Sequence, residues 1–167
     1  MKSGLKVRLL ALIFLFLMII IGAGFWLWSW RQRRNAPFVC PVAWQYCRKA
    51  RLIQLPSGDP GIGFVVPNGT DLLASVNGSA VQSGYRREDG KVSQTVRIKT
   101  KNGNRLSYAF VGRALVQMQP VASGQPIGRI EDAGEAIKGT GANLVVYLLN
   151  QEGRVEAISP KDFRRLK

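Results

Sequence analysis

Histidine is absent from the 167-residue sequence. A Ser-His-Asp triad needs an imidazole as its general base, and catalytic zinc sites commonly hold the metal through histidine. The sequence also has no Gly-x-Ser-x-Gly motif and no Walker phosphate-binding loop. These absences exclude the triad-type serine hydrolases, the histidine-ligated zinc enzymes and the P-loop nucleotidases.

Acidic residues are few, ten against 24 lysines and arginines. Paired carboxylates for glycoside cleavage have to lie about 5 to 9 Å apart. The sequence predicts that spacing for no pair drawn from Asp59, Asp71, Glu131, Asp132 and Glu135. An enzymatic function is therefore disfavoured.

Cysteine occurs only at Cys40 and Cys47, with six residues between the two. This is not a zinc-knuckle spacing, and no further cysteine or histidine could complete a tetrahedral site. A local disulfide and two free thiols both remain open. A close pair in an otherwise cysteine-free chain is typical of an oxidising compartment, which favours the disulfide and places the domain outside the cytoplasm.

The formal net charge is +14. Such an excess favours polyanionic partners: nucleic acid, anionic lipid headgroups, or wall polymers that carry phosphate or carboxylate. A solubilising surface beside an anionic membrane is the alternative explanation.

An uncharged apolar run of 22 residues lies between Arg8 and Arg31. As a helix it would extend about 33 Å, enough to cross the hydrocarbon core of a bilayer. We predict a transmembrane helix at 9–30 after a short basic N-terminus at 1–8. A cleaved signal peptide is the alternative, but the aromatic cluster at 25–30 is typical of a membrane interface and favours an uncleaved anchor. Basic residues flank both ends, so charge alone does not set the orientation.

Beyond the anchor, 31–60 reads as a basic neck or linker that carries the cysteine pair and includes a short helix within 42–52. From 61 to 167, short apolar runs alternate with Asn-Gly and glycine-rich turns. The clearest hairpin is "TVRIKTKNGNRLSYAFVG", and a second is "NLVVYLLNQEGRVEAIS", whose first arm is apolar on consecutive residues and so predicted to be buried on both faces. The expected fold is all-β and mostly antiparallel.

The order of motifs in 61–167 resembles the β-sheet core of the LytM/lysostaphin-type (M23) metallopeptidases. "NGTDLLASVNGSAV" resembles the early "xGTPVYAxxxGxV" hairpin, and "LSYAFVG" resembles the "xxYaHLx" strand. "VASGQPIGRI" is similar to "VkxGQxIGxxG", which is the strongest match. "GTGANLVVYLLNQEGRVEAISPKDF" resembles "TGPHLHFEIxxxGxxvdPxxyl". The resemblance implies a fold shared with zinc endopeptidases of the cell wall and with their inactive relatives.

The family's zinc ligands and proton-handling groups are replaced at every position that the resemblance identifies. The His-x-x-x-Asp pair falls at Pro60 and Phe64, the "YaHL" histidine at Phe110, and the His-x-His pair at Asn143 and Val145. Tyr147 stands in the place of the family's glutamate. These side chains cannot replace imidazole ligands, so we expect no metal, no other cofactor and no peptidase activity. The vestigial groove formed by these six residues is expected either to bind an apolar side chain of a partner or to have collapsed into core.

The resemblance implies a membrane-anchored, non-catalytic module that binds, regulates or scaffolds in the cell envelope. The expected partners are the lipid membrane and either an envelope protein, such as a wall hydrolase or complex subunit, or peptidoglycan. We expect a single-pass protein of the cell membrane with its C-terminal domain extracytoplasmic. The alternative is a component of an export apparatus that contacts nucleic acid or another polyanion through Arg97, Lys99, Lys101 and Arg105. A hydrolase with an unrecognised site is the third possibility.

Overall fold

The computed structural model describes residues 18–22, 37–88 and 90–166. The chain divides into two compact units, Met1–Asn35 and Ala36–Lys167. In the first unit, residues 18–22 are helical. The rest of the predicted 9–30 helix, the N-terminus at 1–8 and the start of the neck lie outside the described residues. Within the described ranges, no helix is long and apolar enough to cross a membrane, and the anchor stays a prediction.

In its described part, the second unit contains twelve strands, one short α-helix and one 3₁₀ turn. The elements in chain order are β1 (Phe38–Val39), α1 (Trp44–Cys47), β2 (Arg51–Gln54), β3 (Pro60–Phe64), β4 (Asp71–Leu73), β5 (Gly78–Arg86), β6 (Val92–Lys99), β7 (Arg105–Ala114), β8 (Met118–Val121), β9 (Pro126–Ile130), β10 (Leu144–Leu149), β11 (Val155–Glu156), the 3₁₀ turn (Pro160–Asp162) and β12 (Phe163–Arg164).

The main sheet runs in the order β2-β3-β10-β7-β6-β5-β8, and each neighbouring pair is antiparallel. β11 pairs with β10, while β9 connects β4 to β7. β1 and β12 form a separate parallel pair. The predicted all-β, mostly antiparallel class is confirmed for the described part of this unit.

The hairpin predicted from "TVRIKTKNGNRLSYAFVG" forms β6, a tight turn and β7. Val96 and Ile98 are fully buried, whereas Arg97 and Lys99 point to the opposite, exposed face. The turn requires a positive φ, which Gly103 supplies at 83°. The second predicted hairpin forms β10 and the short β11. Along residues 96–99 of β6, alternation therefore determines which side chains enter the core.

The region expected to be a neck contributes, in its described part, directly to the folded unit. β2 pairs with β3 along its whole length, and β1 pairs with β12. The predicted disulfide between Cys40 and Cys47 is confirmed, and both cysteines are buried beside Val42 in the main core. The compact unit thus begins well before residue 61, because the apolar residues of "FVCPV" are buried in the core instead of leaving a flexible linker. The helix in this region, α1, is only four residues long.

Tyr108 of β7 lies at the centre of the main core and is fully buried. Its hydroxyl oxygen accepts a hydrogen bond from the backbone N–H of Ser75 at 2.8 Å. Burial raises the pKa of Tyr108 well above its usual range, and the hydrogen bond from Ser75 opposes this only in part. The tyrosine therefore stabilises the fold in its neutral form.

We expect Tyr108→Phe to lower the free energy of unfolding by about 1–3 kcal/mol at neutral pH, because the buried Ser75 N–H loses its acceptor. The raised pKa means that the stabilisation by Tyr108 is complete below about pH 10, the value in the unfolded chain, and is lost as pH rises further. The gap between wild type and Tyr108→Phe should therefore narrow above pH 10. Denaturant unfolding between pH 7 and 11 measures this difference in the free energy of unfolding. The control is Tyr85→Phe, a substitution at an exposed position. A constant gap across this range would contradict the assignment.

Candidate functional site

The positions that the resemblance assigns to the family's catalytic residues lie on three adjacent strands, β3, β10 and β7, except Asn143, which immediately precedes β10. Leu144 of β10 is paired with Phe64 on one side and Phe110 on the other. In the next row, Val145 lies between Gly63 and Ala109. Neighbouring rows point to opposite faces of a sheet. Phe64 and Phe110 therefore belong to one face and Val145 to the other.

The structure consequently does not bring the six predicted groove residues together. Phe64 and Phe110 are buried in the main core, where Phe64 makes an edge-to-face contact with Phe163 at a centroid distance of 5.9 Å. Pro60 begins β3 on the same side as Phe64 and is half-buried. Val145 and Tyr147 lie on the opposite face of the sheet, and Val145 is completely buried there.

Asn143, immediately before β10, is used as a backbone clamp. Its side-chain oxygen accepts the N–H of Val66 at 2.9 Å, and its side-chain NH₂ donates to the carbonyl of Val66 at 2.6 Å. Its own backbone N–H donates to the carbonyl of Phe64 at 3.1 Å. The residue is 2% exposed. In the place of the first histidine of the family's His-x-His pair, the amide therefore holds the segment after β3 against the start of β10.

A second hydrophobic core covers Val145 on the face where the His-x-His pair would point. Its buried members, hereafter the second core, are Leu55, Ala109, Ala136, Ala142 and Val145. Tyr147 packs against it and is half-buried. A Cβ added to Gly63 would lie 2.9 Å from the Cβ of Ala142, so Ala142 packs directly against the backbone of β3. The part of the face around Val145 is filled with apolar side chains.

The segment that fills this face is the connection between β9 and β10, residues 131–143, hereafter the plug loop. The carboxylate of Glu135 accepts the backbone N–H groups of Gly139 and Gly141, each at 2.7 Å. These two hydrogen bonds hold the pKa of Glu135 below its usual range, and the bond from Gly139 has the largest effect. Across the loop, the N–H of Ala136 donates to the carbonyl of Ala142 at 2.8 Å. The loop is thereby closed on itself around one carboxylate.

Contacts with β2 and with the turn between β5 and β6 hold the plug loop in place. The guanidinium of Arg51 on β2 donates to the carbonyl of Gly141 at 2.8 Å, and that of Arg87 donates to the carbonyl of Glu135 at 2.7 Å. Lys91 and Asp132 form an ion pair at 2.7 Å. This pairing is the main cause of the lowered pKa of Asp132, and a hydrogen bond from the backbone N–H of Gly134 is the second cause.

Sequence reasoning missed the plug loop. From the sequence, Glu135 is a candidate only for a catalytic carboxylate. The available signal was an acid followed by glycines four and six residues later, a spacing that allows one carboxylate to accept two backbone N–H groups.

The residues at the family's metal positions do not fit zinc. Phenylalanine, proline and valine offer no lone pair, and the Asn143 side chain is already engaged by the backbone of Val66. In the part of the chain that the structure describes, no three His, Cys, Asp or Glu side chains are grouped as metal ligands.

Three of the four predicted polyanion-binding residues meet on the open part of the same sheet face. A shallow depression there is lined by Ser79, Val81, Arg97, Lys99 and Arg105. Lys101 is exposed in the β6–β7 turn and does not line it.

An M23-type β core whose ligand positions carry structural side chains defines the class of this protein. The model of peptidase family M23 matches residues 57–157, more than half of the chain, and the chain belongs to that family. The predicted degenerate M23 core is thus confirmed. No protein among the curated sequences matches it. Among solved structures, it is similar to a chain of the SpoIIQ-SpoIIIAH pore forming complex, with a TM-score of 0.51, 12% identity, and coverage of 78% of this chain and 92% of that one. At this identity the similarity shows the fold alone.

We expect Asn143→Ala to lower the free energy of unfolding by about 2–4 kcal/mol, because it leaves the buried N–H and C=O of Val66 without partners. Asn77→Ala is the matched control, since Asn77 accepts a single hydrogen bond from the N–H of Ser123 at an exposed site. That change should cost less than about 1 kcal/mol. Urea unfolding measures the loss of stability in each variant, and equal m-values allow the two losses to be compared. Equal losses in the two variants would contradict the clamp.

Proposed function

We propose that this protein is a membrane-anchored, non-catalytic M23-like module that binds a protein partner within a cell-envelope complex. One observation carries the non-catalytic part: the two positions of the His-x-His pair are occupied by the Asn143 clamp and by Val145 inside the second core. Neither residue can hold a metal or transfer a proton in that place.

The similarity to a chain of the SpoIIQ-SpoIIIAH pore forming complex supports an assembly role. That structure is a complex of two proteins, and the present chain shares the fold of one of its chains. A fold that keeps its sheet while its cleft is filled has faces and edges left for recognition. Peptidoglycan is the other candidate ligand of such a module.

Strand β2 is the edge that is best suited to recognition. Among the described strands, β2 pairs only with β3, and three of its four residues are exposed. Leu52 is 61% exposed although it is apolar. At the other edge, Pro120 removes a backbone donor from β8. A partner strand would therefore add more readily beside β2.

The location in the cell membrane, with the β domain extracytoplasmic, is part of the proposal. It is supported by the 22-residue uncharged run before Arg31 and by the buried disulfide between Cys40 and Cys47, which suits an oxidising compartment.

A hydrolysis assay tests the non-catalytic assignment and the remaining possibility of an unrecognised hydrolase site. The full-length chain, purified in a non-ionic detergent, is incubated with peptidoglycan beside an active M23 peptidase. We expect no muropeptide release from this chain, with or without added zinc. Release that a chelator abolishes would overturn the proposal.

Site-specific photo-cross-linking tests the proposed protein partner. We expect a cross-linker at Leu52 to give a discrete adduct with one envelope protein in intact cells, because the open edge of β2 would lie against that partner. A cross-linker at the exposed Lys161, remote in sequence, is the control and should not give that adduct. Identical adduct patterns at the two positions would contradict recognition through β2.

A second candidate is a component of an export apparatus that contacts nucleic acid or another polyanion. The depression lined by Arg97, Lys99 and Arg105 favours it. Steep salt dependence of nucleic-acid binding, with measurable affinity at physiological salt, would distinguish this function from the first.

A further inference from the structure

The sheet face that carries Val145 is divided into a filled part and an open part. The plug loop and Leu55 cover the rows of β3, β10 and β7 around Val145. Along the same face toward β5, the register places Ser79 opposite Lys99 and Val81 opposite Arg97. The depression therefore lies on the face toward which the family's His-x-His pair would point, beside the filled groove.

The cations in this depression are close together. Lys99 of β6 is directly opposite Arg105 of β7. Like charges in that arrangement, with Cβ atoms about 5 Å apart, destabilise an antiparallel pair. Among the residues that the structure describes, Arg97, Lys99 and Arg105 form no ion pair. A bound anion would remove this repulsion.

The side chains are also partly positioned in advance. Arg105 is half-buried, and its guanidinium donates to the carbonyl of Gln151 at 3.4 Å. Arg97 and Lys99 are exposed and lie two residues apart on one strand, about 7 Å along its length. Three cations at such spacings match successive phosphates of a chain better than one isolated anion, because several weak contacts add.

The remaining lining residues narrow the class of anion. The exposed surface of the depression is almost entirely apolar and is formed by Val81 and the aliphatic parts of the other lining side chains, and among the residues that the structure describes no aromatic side chain lines it. Non-specific binding of single-stranded nucleic acid usually combines a basic groove with aromatic side chains on which bases stack. A thin chain can also enter a concave site more fully than the flat surface of a bilayer. Both features favour a phosphodiester chain without bases.

We propose that the depression lined by Ser79, Val81, Arg97, Lys99 and Arg105 is a binding site for a base-free phosphodiester polymer of the kind found in cell walls. This inference rests on the proposed non-catalytic function, because it assigns a ligand to the face that no longer carries catalytic groups. The polymer would then hold the module close to the wall while another surface, such as the β2 edge, contacts a protein.

The test is a binding titration of the full-length chain, in a non-ionic detergent, with poly(glycerol phosphate). We expect the double variant Arg97→Gln, Lys99→Gln to bind at least about tenfold more weakly, and its salt slope to fall by about 1.4, as expected for the loss of two cation–phosphate contacts. The control is Lys161→Gln, Arg165→Gln, which removes the same charge from exposed positions elsewhere. It should change affinity less than about twofold, since it leaves the depression intact. Thermal unfolding of both variants shows that each is folded.

Three outcomes would overturn the proposal. Equal losses in the two double variants would show that diffuse charge, not the depression, attracts the polymer. Tighter binding of single-stranded DNA with the same number of phosphates would show that bases contribute. Binding to micelles with added phosphatidylglycerol that needs Arg97 and Lys99, without binding of the polymer, would assign the site to lipid headgroups. The hydrolysis and cross-linking experiments do not depend on these two residues, so failure here is distinguishable from failure of the proposed function.

Discussion

The fold of the β domain depends on the burial of strand β10 on both of its faces. Leu144 and Val146 pack into the main core, while Val145 between them packs into the second core. Antiparallel partners on either side, β3 and β7, satisfy the backbone of this strand. Burial of a Val or Leu side chain is worth about 1.5–3 kcal/mol, so three consecutive buried residues stabilise the centre of the sheet considerably. The second core forms where Leu55 and the plug loop cover the outer face of β10.

Packing interactions occupy the positions that the resemblance assigns to the family's ligands. A catalytic groove has to stay open and polar, with unsatisfied ligands held ready for the metal, which costs stability. Here the corresponding space contains Val145 and the alanines of the plug loop, and Asn143 satisfies the backbone of Val66. The glycine at position 63 lets Ala142 approach β3 closely. Residues that would be constrained by chemistry in a peptidase are constrained here by packing.

The same sheet face keeps an open region, and its character is basic instead of metal-binding. Arg97, Lys99 and Arg105 surround a depression beside the second core, whereas β2 leaves an edge available at the other side of the sheet. A domain with these two surfaces can contact an anionic polymer and a protein at the same time. In the proposed function, the M23 core supports recognition by side chains away from the positions assigned to the family's ligands.

The sequence by itself determined the strands, the turns and the absence of imidazole chemistry, because alternation, Asn-Gly turns and residue composition are local properties. The β6–β7 hairpin and the burial of β10 on both faces followed from these patterns. Only the tertiary structure decided that Phe64 and Phe110 lie on the opposite face from Val145. Which residues pair across strands depends on the register between strands that are distant in sequence. The clamp between Asn143 and Val66, the loop closed around Glu135, and the entry of residues 37–60 into the folded unit are likewise long-range or loop contacts. No periodicity encodes them, because they form only when the sheet has already brought their partners together.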